Sequence, residues 1–470
     1  MAGASLKNTC SAFAGTPSFA ATALFLFFLA VALFPLSPLH AAEGGEGGHD
    51  GQGGQGGQVE EGVTETISIE EAYNLAIVNH EAVRIAAEGV EQARSDVGKA
   101  TSVMLPQVKA EGTYTKFSEE KNISGFLLQP DNSTSVNLTV SQTLFSGGVE
   151  WNSRKAAKLF LQRSREGLDA AREDIVLDTA RAYFSVLRAA RDLEIKEAAL
   201  KRAEERRRVA EGRYQVGDAV KSALLRAEAE VAEAQAELIG AGNNLKDAKN
   251  VLKRFTGITG DYDVSDPEIE APLPEDLDSL IQRAYDERLD YSQGLIDREM
   301  ADLGVSVARG EFLPKLKVEG NYTRRDQDPA TTFLLKESAS ASLVLSYPLF
   351  EGGLRKHELY DARSRLREAE LRLTGLKKDI EVEVREAYNN VVDAQALIAA
   401  LKKRLSFAEE DYRMVFEQFK FGLVTTVDVI DSDTELVSAE RTLANAAYDL
   451  ELAALELEYA VGVLLEEALK

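Results

Sequence analysis

Cysteine is almost absent from this chain of 470 residues. The single cysteine, Cys10, precedes an apolar run from Phe19 to Phe34, and no cysteine follows that run. The rest of the chain therefore contains no thiol and can form no disulfide, and it offers no cysteine to carry lipid at a new N-terminus.

Charged residues are almost absent from the first 39 positions, where Lys7 stands alone. The apolar run ends at Pro35, and the small-residue sequence His40-Ala41-Ala42 follows it. This arrangement is typical of a secretory signal peptide, which we assign to residues 1–42; an uncleaved membrane anchor is the alternative. No later stretch offers about 18 uninterrupted apolar residues, so no other membrane helix is expected.

Basic residues are outnumbered in the rest of the chain. The sequence has 54 Lys and Arg against 78 Asp and Glu, and every acidic residue lies after the signal peptide. A chain this acidic is a poor candidate for binding nucleic acid.

Residues 43–62 begin with a run of Gly with Glu and Gln, which predicts a flexible tail. His49 beside Asp50 has no second histidine nearby, so a solvated tail is favoured over a metal site.

Proline is missing from Gly352 to Gly422, and apolar residues recur there with a coiled-coil period. Every seventh residue from Leu359 to Val415 is apolar, and a second apolar line runs from Ala362 to Phe419. Two apolar positions per seven residues predict a long helix, about 100 Å long for some 67 residues at about 1.5 Å each. Such a helix cannot bury its apolar seam alone, so it needs neighbouring helices.

Helical periodicity also covers much of the first half of the chain. Ser68 and Glu71 form a candidate capping box, which begins a helix that continues to about Val103. A second long helix is predicted from Val149 to about Tyr214, and a return helix follows it and ends at Gly257.

Between the helices the apolar period changes to two. Residues 107–115 and 135–144 alternate apolar and polar side chains, and so do residues 316–322 and 341–347. Soluble sandwich strands can show the same alternation. The length of about ten residues and the aromatic residues near the strand ends favour a membrane barrel. These aromatic residues are Tyr114, Phe117, Phe145 and Trp151, although Trp151 is equally compatible with ordinary packing.

The chain is duplicated. Phe312-Leu313-Pro314 repeats Met104-Leu105-Pro106 at a distance of 208 residues, and the register is 205 from Phe145 to the end. The first repeat covers 63–260, with a β-hairpin at 105–145 and a turn at 214–222. A linker at 261–274 precedes the second repeat, 275–470, with a β-hairpin at 313–350 and a turn at 419–426. The long helices leave the hairpins at similar junctions, which are Pro106, Gly147 and Gly148, and Pro314, Gly352 and Gly353.

Four spanning strands per chain cannot close a barrel, because small barrels need about eight. Open strand edges cannot face lipid either, since unpaired backbone groups there cost several kcal/mol each. The barrel is therefore expected to be shared between chains, with the long helices running into the periplasm. The fold class is a mixed α and β membrane protein.

The order of these elements, given twice, resembles the TolC family of outer-membrane efflux proteins over residues 63–467 or so. The resemblance implies a homotrimer in the outer membrane, with a twelve-stranded barrel and a twelve-helix tunnel extending into the periplasm. It also implies an exit duct for a tripartite efflux or type I secretion system. The implied partners are a periplasmic adaptor, an inner-membrane transporter of the RND, ABC or MFS class, and outer-membrane lipid. It implies no cofactor, no metal and no chemistry of its own, and leaves the cargo open.

The resemblance also implies two kinds of site at the helical turns. The adaptor-docking turns correspond to Val216, Gly217 and Asp218, and to Phe421, Gly422 and Leu423. A periplasmic gate ring corresponds to Asp428 and Asp431, with Phe419 as the aromatic residue beside it; a solvated helix face, shared with Asp433 and Glu435, is the alternative. Phe419 lacks a tyrosine hydroxyl, and Val424 stands where an arginine partner is common in the family.

Two other function classes compete with the channel. An enzyme has little support, because His80 and His357 lie in helical patterns without evident partners and no catalytic motif is present. A structural periplasmic coiled coil without a barrel is the stronger alternative.

Overall fold

The computed structural model describes residues 65–123, 126–267, 276–331 and 334–468. The predicted signal peptide and Gly-rich tail lie outside these residues, as does the second half of the predicted linker. The described residues form two compact units: residues 107–142 with 317–344, and the remainder.

The strands of the first unit are β2 (Gln107–Lys116), β3 (Lys121–Ile123), β4 (Phe126–Gln129), β5 (Asn132–Phe145), β7 (Lys315–Asp328) and β8 (Glu337–Ser346). Four of them form a sheet in the order β2-β5-β7-β8. The other two, β3 and β4, form a short antiparallel pair.

The register of β2 and β5 sorts the side chains by polarity. Ala110 lies opposite Leu138 and Val108 opposite Val140, whereas polar Glu111 lies opposite Asn137. Because alternate residues face opposite sides of a sheet, this register gives one apolar and one polar face. The apolar residues Val108, Tyr114, Val136 and Leu343 are exposed.

The second unit is mostly helical and shows the duplication directly. Its helices in the described ranges are α1 (Ile69–Asn79), α2 (Glu81–Ser102), α3 (Val149–Gln215), α4 (Lys221–Thr256), α5 (Leu277–Glu287), α6 (Leu289–Gly310), α7 (Leu354–Lys420), α8 (Thr426–Val461) and α9 (Leu464–Ala468). The long helices α3 and α7 have 67 residues each, and α4 and α8 have 36 each. None of the helices in these ranges has the length and apolarity to cross a membrane.

The apolar seams predicted from the heptads are buried where the long helices pair. α3 packs on α4, and α7 packs on α8. Ile380, Val384 and Val391 of α7 are buried with Leu457 and Val461 of α8. A short parallel pair, β1 (Glu65–Ile67) with β6 (Tyr262–Val264), lies beside the core of the first repeat.

The capping box at Ser68 is confirmed: its hydroxyl accepts from the Glu71 N–H, and the Glu71 carboxylate accepts from the Ser68 N–H at 2.9 Å. The single helix expected as far as Val103 is wrong, because the chain is extended at His80. His80 Nδ1 accepts from the Ala82 N–H and so caps α2. Its ring stacks on Phe255 of α4.

The junction residues lie immediately before the elements they were expected to precede. Pro106 precedes β2 and Pro314 precedes β7. Gly148 and Gly353 are the N-cap residues of α3 and α7, with φ of 81° and 91°. Glycine adopts this left-handed conformation at no steric cost.

The helical tip as candidate functional site

The turn between α3 and α4 is closed by a glycine. Gly217 has φ 81° and donates its N–H to the carbonyl of Tyr214, and the N–H of Asp218 reaches back to the carbonyl of Arg213 at 2.8 Å. These two bonds satisfy carbonyls at the helix end in the Schellman arrangement.

The turn between α7 and α8 is a structural copy of the first. Gly422 has φ 75° and donates to the carbonyl of Phe419, and the N–H of Leu423 donates to the carbonyl of Gln418 at 3.0 Å. The two repeats therefore contain the same turn with different side chains.

Both turns expose apolar side chains. Val216 is 80% exposed and Phe421 is 78% exposed, and Leu423 is exposed to a similar degree. Asp218 is exposed as well, but its carboxylate pairs with Arg213. The turn residues that the resemblance assigns to adaptor docking thus lie on the surface of the two turns, 214–222 and 419–426, which together we call the helical tip.

Arg213 joins the two turns. Its Nε donates to Asp218 Oδ2 and its Nη1 to the carbonyl oxygen of Phe419, each at 3.0 Å. Its guanidinium also lies over the Phe419 ring at 5.4 Å. A Cβ on Gly422 would lie 2.8 Å from Arg213 Nη2, so glycine leaves room for this contact. Sequence analysis did not find this contact, in which an arginine of the first repeat reaches the aromatic residue of the second.

Phe419 is buried within its own chain. It is 1% exposed and packs with Ala210, Ala227 and Val429. The two carboxylates assigned to the gate ring, Asp428 and Asp431, are instead exposed. Phe419 is therefore buried while these two acids are exposed: the phenyl ring of Phe419 packs beneath the turn, and the carboxylates of Asp428 and Asp431 face solvent.

Asp428 also caps α8. Its carboxylate accepts the hydroxyl and the backbone N–H of Thr425, each at 2.7 Å, and the Asp428 N–H is directed at the Thr425 hydroxyl. The Thr425 hydroxyl and N–H lower the pKa of the Asp428 carboxyl below its usual range. Asp428 is therefore held ionised at the start of α8.

A buried arginine cluster lies behind the tip. Arg206 of α3 is 1% exposed; it pairs with Glu230 of α4 and with Asp433 of α8 at 2.9 Å. Its Nη1 donates to the hydroxyl of Tyr412 on α7 at 3.2 Å. Arg202 holds the second oxygen of Asp433 at 2.5 Å. These five residues join all four long helices.

The buried charges of this cluster stabilise one another. Burial opposes the charge of Arg206, but Glu230 and Asp433 raise the pKa of its guanidinium above the ordinary value. Asp433 belongs to this cluster and not to the solvated helix face with which sequence analysis grouped it. The correction follows from Arg202 and Arg206, which reach Asp433 from the other repeat.

A family described as outer membrane efflux protein matches residues 72–258 and 280–463. The outer membrane protein TolC of Salmonella enteritidis is 24% identical over 87% of this chain and 84% of its own length. A crystal structure of CusC superposes with a TM-score of 0.75 at 19% identity, over 84% of this chain and 92% of that one. The CmeC outer membrane channel of Campylobacter jejuni has a TM-score of 0.73 at 18% identity, over 91% and 95%.

Proposed function

Since this chain belongs to the outer membrane efflux protein family, we propose that it is the outer-membrane exit duct of a tripartite efflux or type I secretion system. It acts as a passive homotrimeric channel that opens when a periplasmic adaptor and an inner-membrane transporter dock. The observation that carries the proposal is the tip: two equivalent turns with exposed apolar residues, held together by Arg213 and the arginine cluster. A tip whose two turns are joined within the chain and whose apolar residues are exposed suits a duct opened by its partners.

In this proposal the sheet of each chain forms a third of a twelve-stranded barrel. The order β2-β5-β7-β8 leaves β2 and β8 as open edges within the chain. Edges of neighbouring chains would satisfy each other, as lipid requires. The exposed apolar row through Val136 and Leu343 would then face lipid. On the polar face, the Thr139 hydroxyl donates to Asn321 Oδ1.

Charges placed on the apolar row test the barrel. Val136→Arg and Leu343→Arg are expected to reduce the amount of folded trimer, because a basic residue facing lipid near mid-bilayer costs about 2–4 kcal/mol. The measurement is heat-modifiable migration of outer-membrane extracts on gels. Asn137→Arg and Ser342→Arg on the polar face are the controls and should assemble normally. Equal loss in both pairs, or no heat-modifiable form at all, would favour a coiled coil without a barrel.

Charges placed on the two turns test docking. The double variant Val216→Glu with Phe421→Glu is expected to lose export and adaptor co-purification while trimers still form. Each buried apolar side chain would contribute about 1.5–3 kcal/mol to such a contact, and a carboxylate opposes that burial. Gln215→Glu with Gln418→Glu is the control, since it adds the same two charges at exposed positions beside the turns without removing an apolar side chain. Normal export by the double variant would place the docking surface elsewhere.

The gate ring is proposed from the exposed acids of α8. Asp428 and Asp431 lie three residues apart at the start of the helix, where the dipole favours negative charge. Three copies would put six carboxylates around one constriction and gather cations there. Phe419 contributes packing beneath the ring and not a pore-facing group.

Removing the two charges tests the ring. Asp428→Asn with Asp431→Asn is expected to abolish most of the cation selectivity and most of the inhibition by multivalent cations. Asparagine is used because Asp428 also caps α8 and an asparagine side chain can still accept a backbone hydrogen bond. Reversal potentials in planar bilayers under a salt gradient measure the selectivity. Glu435→Asn, a charge change farther along the same helix, should leave the reversal potential unchanged. An unaltered reversal potential in the double variant would place the constriction away from α8's first turns.

A further inference from the structure

A groove lies where α3 begins, beside the end of β5 and the residues that follow α2. Its volume is about 420 Å³, which is within the range of pockets that hold small ligands. Apolar and aromatic side chains form most of its wall, among them Leu144, Phe145 and Trp151. We call this cavity the junction groove.

The polar groups of the junction groove have no basic residue beside them. Glu150 lines the groove and is partly buried, and none of the other lining residues is basic. Ser146 also lines the groove and is only 4% exposed, and its Oγ has no hydrogen-bond partner among the described residues. Because buried polar groups are normally hydrogen-bonded, this pair favours a ligand that carries a positive charge and N–H donors.

The second repeat shows a cation at the equivalent position. By the offset of 205, Arg355 replaces Glu150. The guanidinium of Arg355 donates to the Glu351 carboxylate at 2.6 Å and to the carbonyl of Pro348. It also lies over the ring of Phe312 at 6.0 Å. The Arg355 side chain is only 13% exposed, so a cation of the chain itself fills this junction.

The residues that Arg355 contacts correspond to residues that line the junction groove. The counterparts are Thr143 for Pro348, Ser146 for Glu351 and, at the offset of 208, Met104 for Phe312. Because Glu150 stands in place of the arginine, the first repeat keeps the same surroundings, reverses the charge and leaves a cavity. A cationic group from outside the chain can therefore take the place that the guanidinium has in the second repeat.

We propose that the junction groove binds the headgroup of an ethanolamine phospholipid from the inner leaflet of the outer membrane. The ammonium group donates to the Glu150 carboxylate and to Ser146 Oγ, and it lies over the Trp151 ring. Trp151 and Leu144 are 66% and 56% exposed, so the acyl chains can continue along these side chains.

The inference rests on the proposed function. β5 ends at Phe145 and α3 begins at Val149, so the junction groove lies at the periplasmic surface of the membrane when β5 spans it. Charge then selects among the lipids of that leaflet. Glu150 repels an anionic headgroup such as that of phosphatidylglycerol, whereas it attracts the ammonium of an ethanolamine phospholipid.

Trp151 reports directly on the junction groove, because it is the sole tryptophan of the chain. Purified trimers in non-ionic detergent are titrated with phospholipids whose acyl chains carry bromine, which quenches tryptophan fluorescence on contact. The ethanolamine phospholipid should reach half-quenching at an about tenfold lower lipid fraction than phosphatidylglycerol, since a hydrogen bond to a charged group contributes a factor of this order. A nonspecific layer of lipid would quench equally with both headgroups, which would overturn the proposal.

Two variants test the groove residues. Glu150→Gln should bring the two titrations together while trimers still form. Ser146→Glu with Glu150→Arg copies the second repeat and should also lose the preference, because its own guanidinium fills the groove. Glu358→Gln is the matched control, since it removes an exposed carboxylate near the start of α7, and it should keep the tenfold difference. A difference that survives in both variants would show that the lipid does not bind here.

The outcomes separate the lipid site from the channel. If trimers conduct in bilayers but the two brominated lipids quench Trp151 alike, the lipid site is wrong and the channel stands. If dodecylamine then protects Trp151 from quenching, the groove takes a free cationic amphiphile in place of a lipid headgroup. If no trimer forms in detergent or in membranes, the proposed channel fails, and this inference fails with it.

Discussion

Arg206→Met should destabilise the helical tip by about 3–5 kcal/mol, the usual cost of removing one partner from a buried ion pair. The substitution leaves the carboxylates of Asp433 and Glu230 without the guanidinium that compensates them. The midpoint of thermal unfolding, followed by the helical circular dichroism signal, should therefore fall. A second expected result is functional: the cluster joins the four long helices, so its loss should loosen the closed tip and raise the channel conductance.

Arg208→Met is the matched control for this prediction. Arg208 lies two residues along α3, and its pair with Glu205 is on the surface, where solvent screening leaves such pairs with little effect on stability. Adding Asp433→Asn to Arg206→Met should recover part of the lost stability, because it removes one uncompensated charge. Equal midpoints for Arg206→Met and Arg208→Met would show that the cluster does not hold the tip.

Gly147→Ala should lower the free energy of unfolding by about 4 kcal/mol or more, a loss that few single substitutions cause. A left-handed conformation costs a non-glycine residue about 1–2 kcal/mol. Here a methyl group would also lie 2.8 Å from the Gly310 carbonyl carbon and overlap its oxygen. Gly310 is the last residue of α6 and Gly147 lies two residues before α3, so relief of the overlap requires a backbone shift next to one of these helices. The yield of folded trimer and its dissociation temperature measure the effect.

Substitution of the neighbouring glycine distinguishes backbone strain from the steric overlap with Gly310. Gly148 has φ 81°, but a Cβ there would meet nothing closer than 3.8 Å. Gly148→Ala should therefore show only the conformational cost. If the two alanine variants behave alike, the close approach of Gly147 and Gly310 is not important for assembly.

The long helices, the hairpin strands and the duplication could be predicted from the sequence. Each helix and strand shows a local period of apolar residues, and the duplication shows a constant offset between the two repeats. The seam residues Ile380, Val384 and Val391 are buried as the heptads predict. The break between α1 and α2 at His80 could not be predicted in this way because its cause is tertiary: the His80 ring caps α2 and stacks on Phe255 of another helix.

The contacts at the helical tip could not be predicted from the sequence for a related reason. Arg206 and Asp433 are 227 residues apart, and Arg213 reaches the Phe419 carbonyl across 206 residues. Charged residues on a predicted coiled coil look the same whether they face water or a partner helix. The pattern alone therefore grouped Asp433 with a solvated helix face, and the family resemblance placed Phe419 beside the gate.

The most direct test of the account is the single-channel conductance of purified trimers in planar lipid bilayers, with wild type beside Arg206→Met. A duct closed at its helical tip predicts small, cation-selective currents for the wild-type trimer and larger currents for the variant. Trimers that insert into the bilayer but carry no current in either form would contradict the channel.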